Sequence, residues 1–131
     1  MSVLREVADR AAAESPLWAG ALLPAAKAGE PRFAGRCPEH HLLGVEMIYE
    51  GYLLHYGRSR LFSQADADLA LLTGDYLYAA GLREICATGD LGAVGALAGL
   101  ISTCARNQGD GRGADDAALW DETVASLAEI E

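Results

Sequence analysis

The stretch Leu69-Ala-Leu-Leu-Thr-Gly-Asp-Tyr-Leu-Tyr-Ala-Ala80 decides the fold class. Its apolar side chains recur at three- and four-residue intervals, the spacing that gathers them on a helix face. The helix is expected over about 66–88, with Gly89 as its stop. The same periodicity runs through a chain dominated by Ala, Leu and Gly and sparse in β-branched residues, which favours helices over strands. With 131 residues and 51% hydrophobic composition, the chain can bury one core and is too short for two domains of ordinary size. The expectation is a single all-α domain spanning 1–131, a bundle of about five or six helices.

Working outward, Cys37-Pro38-Glu39 reads as a helix start, and this first long core helix is expected over about 38–56, ended by Gly57. Asp90 is placed to cap a helix over 90–107, in which Gly92, Gly95 and Gly99 recur beside Leu97, Leu100 and Ile101. Small residues there let another helix approach closely, at up to ~1 kcal/mol of lost helicity per glycine. A last helix over 114–130 points Ala117, Leu119 or Trp120, Val124 and Leu127 inward. Before these, an amphipathic helix over 2–13 caps the core, a short helix runs from Pro16 through Leu23, and Pro24 kinks it or starts another turn before Lys27-Ala-Gly29.

The net charge of -9 excludes phosphate-backbone partners, which require clustered Lys and Arg. Cys37, Cys86 and Cys104 are an odd set without the spacing of a disulfide framework, and read as reduced thiols of a cytoplasmic protein. No run approaches the ~20 apolar residues of a membrane span. Cys37, His40 and His41 offer zinc-type donors but lack a fourth ligand at recognisable spacing, so a helix start is preferred. Asp115, Asp116, Asp121 and Glu122 read as helix N-terminal acids rather than a magnesium motif. A pairing of Cys86 or Cys104 with His55 for nucleophilic catalysis yields to core packing. Asp75 sits in an apolar helix and is expected to bond to a neighbouring helix. The five tyrosines 49, 52, 56, 76 and 78 are expected at the boundary between core and solvent.

Two segments together resemble the large trans-isoprenyl diphosphate synthases. Glu46-Met-Ile-Tyr-Glu-Gly-Tyr-Leu-Leu-His55 is similar to the Glu/His helix that in that family runs into the first Asp-Asp-x-x-Asp motif. Ala70-Leu-Leu-Thr-Gly-Asp-Tyr-Leu-Tyr-Ala-Ala80, followed by Gly89-Asp90 and Gln108, is similar in order to the family's later Gly-Asp helix and its successor. The resemblance covers about 42–108 and implies the N-terminal half of the isoprenoid synthase fold.

The carboxylates do not follow. The two leading Asp positions correspond to Tyr56 and Gly57, neither of which is a magnesium ligand. The family's Arg-Arg-Gly diphosphate segment is missing, with only Arg58 and Arg60 before Ala70, and no second Asp-rich motif follows. The nearest match is the small, non-catalytic subunit of heterodimeric long-chain polyprenyl (hexaprenyl- or heptaprenyl-type) diphosphate synthases. The resemblance implies an accessory subunit that binds a full-length synthase and affects its activity or chain length. It implies no cofactor of its own, with Mg2+ only in the catalytic partner. It implies an interface on residues 69–107, with Leu77, Ala80, Leu97, Gly99, Leu100 and Ile101 as candidates, and Gly51 and Tyr52 as candidate prenyl-tunnel wall. The alternatives are a self-associating homodimeric scaffold of the same fold and, more weakly, a stand-alone prenyl diphosphate-utilising enzyme.

Overall fold

The computed structural model describes residues 2–24 and 29–130, and its regular elements are helices. They are α1 (Val3–Glu14), α2 (Pro16–Ala21), α3 (Glu39–Tyr56), α4 (Ala67–Ala87), α5 (Leu91–Gly109) and α6 (Asp116–Ile130), with a 3-10 turn, Gly113–Asp115, leading into α6. No strand occurs among the described residues; one isolated antiparallel bridge joins Leu22 to Phe62.

The helix starts follow from local chemistry. Ser15, Asp66 and Asp90 each accept a hydrogen bond from the backbone N–H of Leu17, Leu69 and Ala93, which satisfies donors that a helix N-terminus leaves unpaired. Gly89, at φ 83°, makes the turn between α4 and α5 in the left-handed region that other residues avoid. The core helices therefore lie within two residues of the expected bounds at each end. The second helix is shorter than expected. It stops at Ala21 because the following backbone pairs with the 61–63 segment, Leu23 N–H donating to Leu61 O at 2.8 Å and Ser63 N–H to Ala21 O at 2.7 Å. Of the expected turn at Lys27-Ala-Gly29, residues 27 and 28 lie outside the described residues.

α3 is buried nearly all round, which only a central helix can be. It crosses α4 antiparallel and unusually close, because glycines face each other at two levels. A Cβ on Gly44 would meet Ile85 at 2.7 Å and Gly81 O at 3.0 Å; one on Gly81 would meet Ile48 at 2.6 Å and Gly44 O at 2.8 Å. Two turns along, a Cβ on Gly51 would lie 2.9 Å from Gly74 O, and one on Gly74 2.8 Å from His55. Two apolar clusters share this pair. One joins it to α1 and α2 through Leu4, Val7, Met47, Leu54, Phe62 and Leu77. The other joins it to α5 and α6 through Ile48, Ile85, Leu97, Leu100, Trp120 and Leu127. On α6 the inward residues are Trp120, Val124 and Leu127, with Leu119 half-buried and Ala117 exposed.

The glycines of α5 are placed differently from those of the α3–α4 contact. A Cβ on Gly95 or Gly99 would meet no atom within 4 Å, so the close helix approach expected there is not made within this chain. The two sets should respond oppositely to alanine. Gly81→Ala must displace Ile48 and the α3 backbone and should lose about 2 kcal/mol net of its gain in helix propensity. Gly99→Ala should gain about 0.8 kcal/mol. Urea unfolding of the isolated protein, read at unchanged m value, checks both signs.

Candidate functional site

The positions that correspond to magnesium carboxylates lie at the C-terminal end of α3. Tyr56 is 39% exposed, and Gly57 is the exposed residue that closes the helix, its N–H donating to Leu53 O at 2.9 Å. His55, one residue earlier, packs its ring flat on Tyr78 and points Nε2 at Asp75 across the gap to α4, 2.9 Å away. Asp75 departs from the expectation: its side chain is 67% exposed, and His55 Nε2 beside it makes no hydrogen bond among the described residues, so the two are only in ion-pair proximity. The contact is an ion pair when His55 is protonated.

One turn and more inside, α3 carries two carboxylates, Glu46 and Glu50, both fully buried. Their spacing of four residues puts them on one face. Arg60 comes back over that face, Nη1 donating to Glu46 at 2.7 Å and Nε to Glu50 at 2.8 Å. The remaining oxygens are taken too: Glu46 accepts from Phe33 N–H at 2.8 Å, and Glu50 from the Ser59 hydroxyl and from Arg60 N–H at 3.0 Å. Burial alone would lower the Arg60 pKa, and the two carboxylates more than reverse it. Carboxylates with every oxygen engaged are anchors for the 58–62 connection and the 33 loop, not magnesium ligands or general bases. Removing one partner from such a buried set typically costs about 3–5 kcal/mol. The sequence carried a signal for this set, two acids four apart in an otherwise apolar helix.

A third buried carboxylate opens α6. Asp116, 1% exposed, accepts from the Tyr52 hydroxyl at 2.7 Å, Asn107 Nδ2 at 3.0 Å and Gln108 Nε2 at 2.9 Å. Burial would raise its pKa, and these donors, with the Cys104 thiol, hold it below the ordinary carboxylate value. Burial, then the Asp116 charge, pushes Cys104 up to about 12, so the thiol is no nucleophile near neutral pH. Cys86 is exposed on α4, Cys104 sits with Asp116 and His55 stacks on Tyr78, so the pairing of His55 with either thiol has no support in the contacts. Cys37 is pushed up to about 11 by burial and by Glu46 and Glu39. His41 is buried with Nε2 3.0 Å from Asp90, tying the start of α3 to the cap of α5. Among the described residues no three His, Cys, Asp or Glu side chains converge in a metal-holding group.

The candidate interface residues divide. Leu77, Ala80, Leu97 and Leu100 are at most 5% exposed and belong to the core of this chain, because they fill the clusters around α3 and α4. Gly99 is exposed and Ile101 half-buried. The large apolar side chains open to solvent include Leu71, Leu72 and Leu91, at 45%, 60% and 73%, none of which the sequence singled out. Of the candidate tunnel-wall pair, Gly51 is closed off by Gly74 O and Tyr78, whereas Tyr52 lines a cleft with Tyr49 and Trp120.

Asp116 gives a pH-dependent test. A carboxyl whose folded pKa is depressed stabilises the fold above its ordinary value, and that stability is lost as pH falls through the folded value. Asp116→Asn should therefore cost about 2 kcal/mol at pH 7, and the gap to the unsubstituted protein should narrow below about pH 4. Thermal unfolding followed between pH 7 and pH 3 checks this.

No helix among the described residues is long and apolar enough to cross a membrane. No protein-family model, no curated protein and no solved structure matches the chain.

Proposed function

We propose that this chain is a non-catalytic accessory subunit that associates with a full-length polyprenyl diphosphate synthase and affects its activity or product length. The observation that carries the reading is the outward face of α5. Gly95 and Gly99 lower helix stability there without serving any contact in this chain, a cost that a second protein's close approach would offset. Leu91, 73% exposed at the start of the same helix and four residues before Gly95, adds apolar surface to that face. The resemblance of residues 42–108 to the synthases supplies the partner class. Tyr56 and Gly57 at the positions of the metal-binding acids, and the full engagement of Glu46 and Glu50, favour an associating role over chemistry. Mg2+ would belong to the catalytic partner.

The test is pairing with a synthase in which both Asp-rich motifs are intact. Gly99→Glu changes an open surface position and should leave the fold of the isolated chain unchanged by circular dichroism while abolishing co-purification. Substituting Leu97 or Leu100 would instead test the core. Pairing that survives Gly99→Glu rejects the α5 assignment. A stable homodimer by light scattering with no synthase binding replaces this reading with the self-associating scaffold. Turnover of allylic and homoallylic diphosphates by the isolated chain with Mg2+ replaces it with the enzyme.

A further inference from the structure

We propose that the cleft between Arg32, α3 and the start of α6 binds a small, flat aromatic carboxylate. The site stands independently of the accessory-subunit reading, since none of its residues lies on the outward face of α5. It encloses about 240 Å³, room for a single-ring ligand. Its walls are the rings of Tyr49 and Tyr52, stacked 6.0 Å apart, and of Trp120, which each of them meets edge to face, Tyr49 at 5.0 Å and 79° and Tyr52 at 5.6 Å and 64°. The far side is backbone and small side chains, Gly113, Ala114 and Ala117, over which a flat ring fits. Such a slot selects an aromatic ring by packing and edge contacts.

Arg32 sets the charge. Its guanidinium carbon lies 4.7 Å from the Phe33 ring centroid and 4.8 Å from that of Tyr49, contacts that hold it at the cleft with an N–H edge of the kind a planar anion takes. That edge now donates to Asp121 at 3.1 Å, a carboxylate 47% exposed and shared with Arg36 at 3.8 Å. An exposed pair of this kind is weak and yields readily to a desolvated, bidentate ligand carboxylate. Asp116 is saturated by Tyr52, Asn107 and Gln108.

The experiment is a titration of the full-length protein with benzoate, followed by amide and indole chemical shifts. Benzoate should perturb Gly113, Ala114, Ala117 and the Trp120 indole in a saturable way, with a Kd on the order of 1 mM. Benzamide, which keeps the ring and loses the charge, and hexanoate, which keeps the charge and loses the ring, should each bind at least roughly tenfold more weakly. Arg32→Gln should weaken benzoate by a similar factor. Ala117→Leu, which fills the cleft and leaves Arg32 in place, should do the same and decides the matter if Arg32→Gln does not fold. Absence of saturable shifts at these groups, benzamide or hexanoate binding as well as benzoate, or undiminished affinity in either folded variant overturns the proposal.

Discussion

The close approach of α3 and α4 is the constraint on which the rest of the structure depends. Gly44 and Gly51 on one helix and Gly74 and Gly81 on the other let the two backbones meet where any side chain would hold them apart. With no Cβ between them, the two helices pack as one central unit, and helices on either side can bury apolar surface against both at once. The cost is helical propensity at four positions, offset by dispersion contacts along the crossing. His55 and Asp75 are brought into contact by the same approach, since His55 lies against Gly74.

Each further segment is fastened to that pair by a polar contact that has few alternatives. Arg60 and Ser59 hold the 58–62 connection to Glu46 and Glu50, and Phe33 N–H donates to Glu46. His41 fixes the cap of α5 through Asp90, and Tyr52 fixes the start of α6 through Asp116. Apolar surface alone would let these helices slide. Buried acceptors whose donors come from one place set the register, since any other arrangement leaves a desolvated charge unpaired. The polar interior thus accounts for why Tyr49, Tyr52 and Trp120 line a defined cleft instead of collapsing onto it.

The helices were legible because their signals are local. Asp90 as a cap, Gly57 and Gly89 as stops, and apolar periodicity between them require no knowledge of the tertiary structure. What faced what was less legible. A glycine in a helix reads the same whether it faces a partner helix or open solvent, so the expectation of close packing went to Gly92, Gly95 and Gly99 while the crossing is made by Gly44, Gly51, Gly74 and Gly81. Leu97 and Leu100 enter as interface candidates through the resemblance, and their apolar spacing marks a face without saying whose core it joins. The Glu46–Arg60–Glu50 set joins residues ten and fourteen apart across a turn, which no helical periodicity encodes. The Asp116 cluster was half visible, as a helix N-terminal acid, and its three donors from α3 and α5 were not.

The inner glycines build the α3–α4 crossing, whereas Gly95 and Gly99 on α5 face open space, the face that the proposed function assigns to a partner. Amide hydrogen exchange, on the chain alone and then with a complete synthase added, tests that division most directly. Alone, amides around Gly44–Ile48 and Gly74–Gly81 should exchange only through global unfolding, and those of α5 near Gly95 and Gly99 through smaller openings. With the synthase, the gain in protection should concentrate in α5. Protection that leaves α5 unchanged and rises elsewhere, or an α3–α4 crossing that exchanges by local opening, would contradict it.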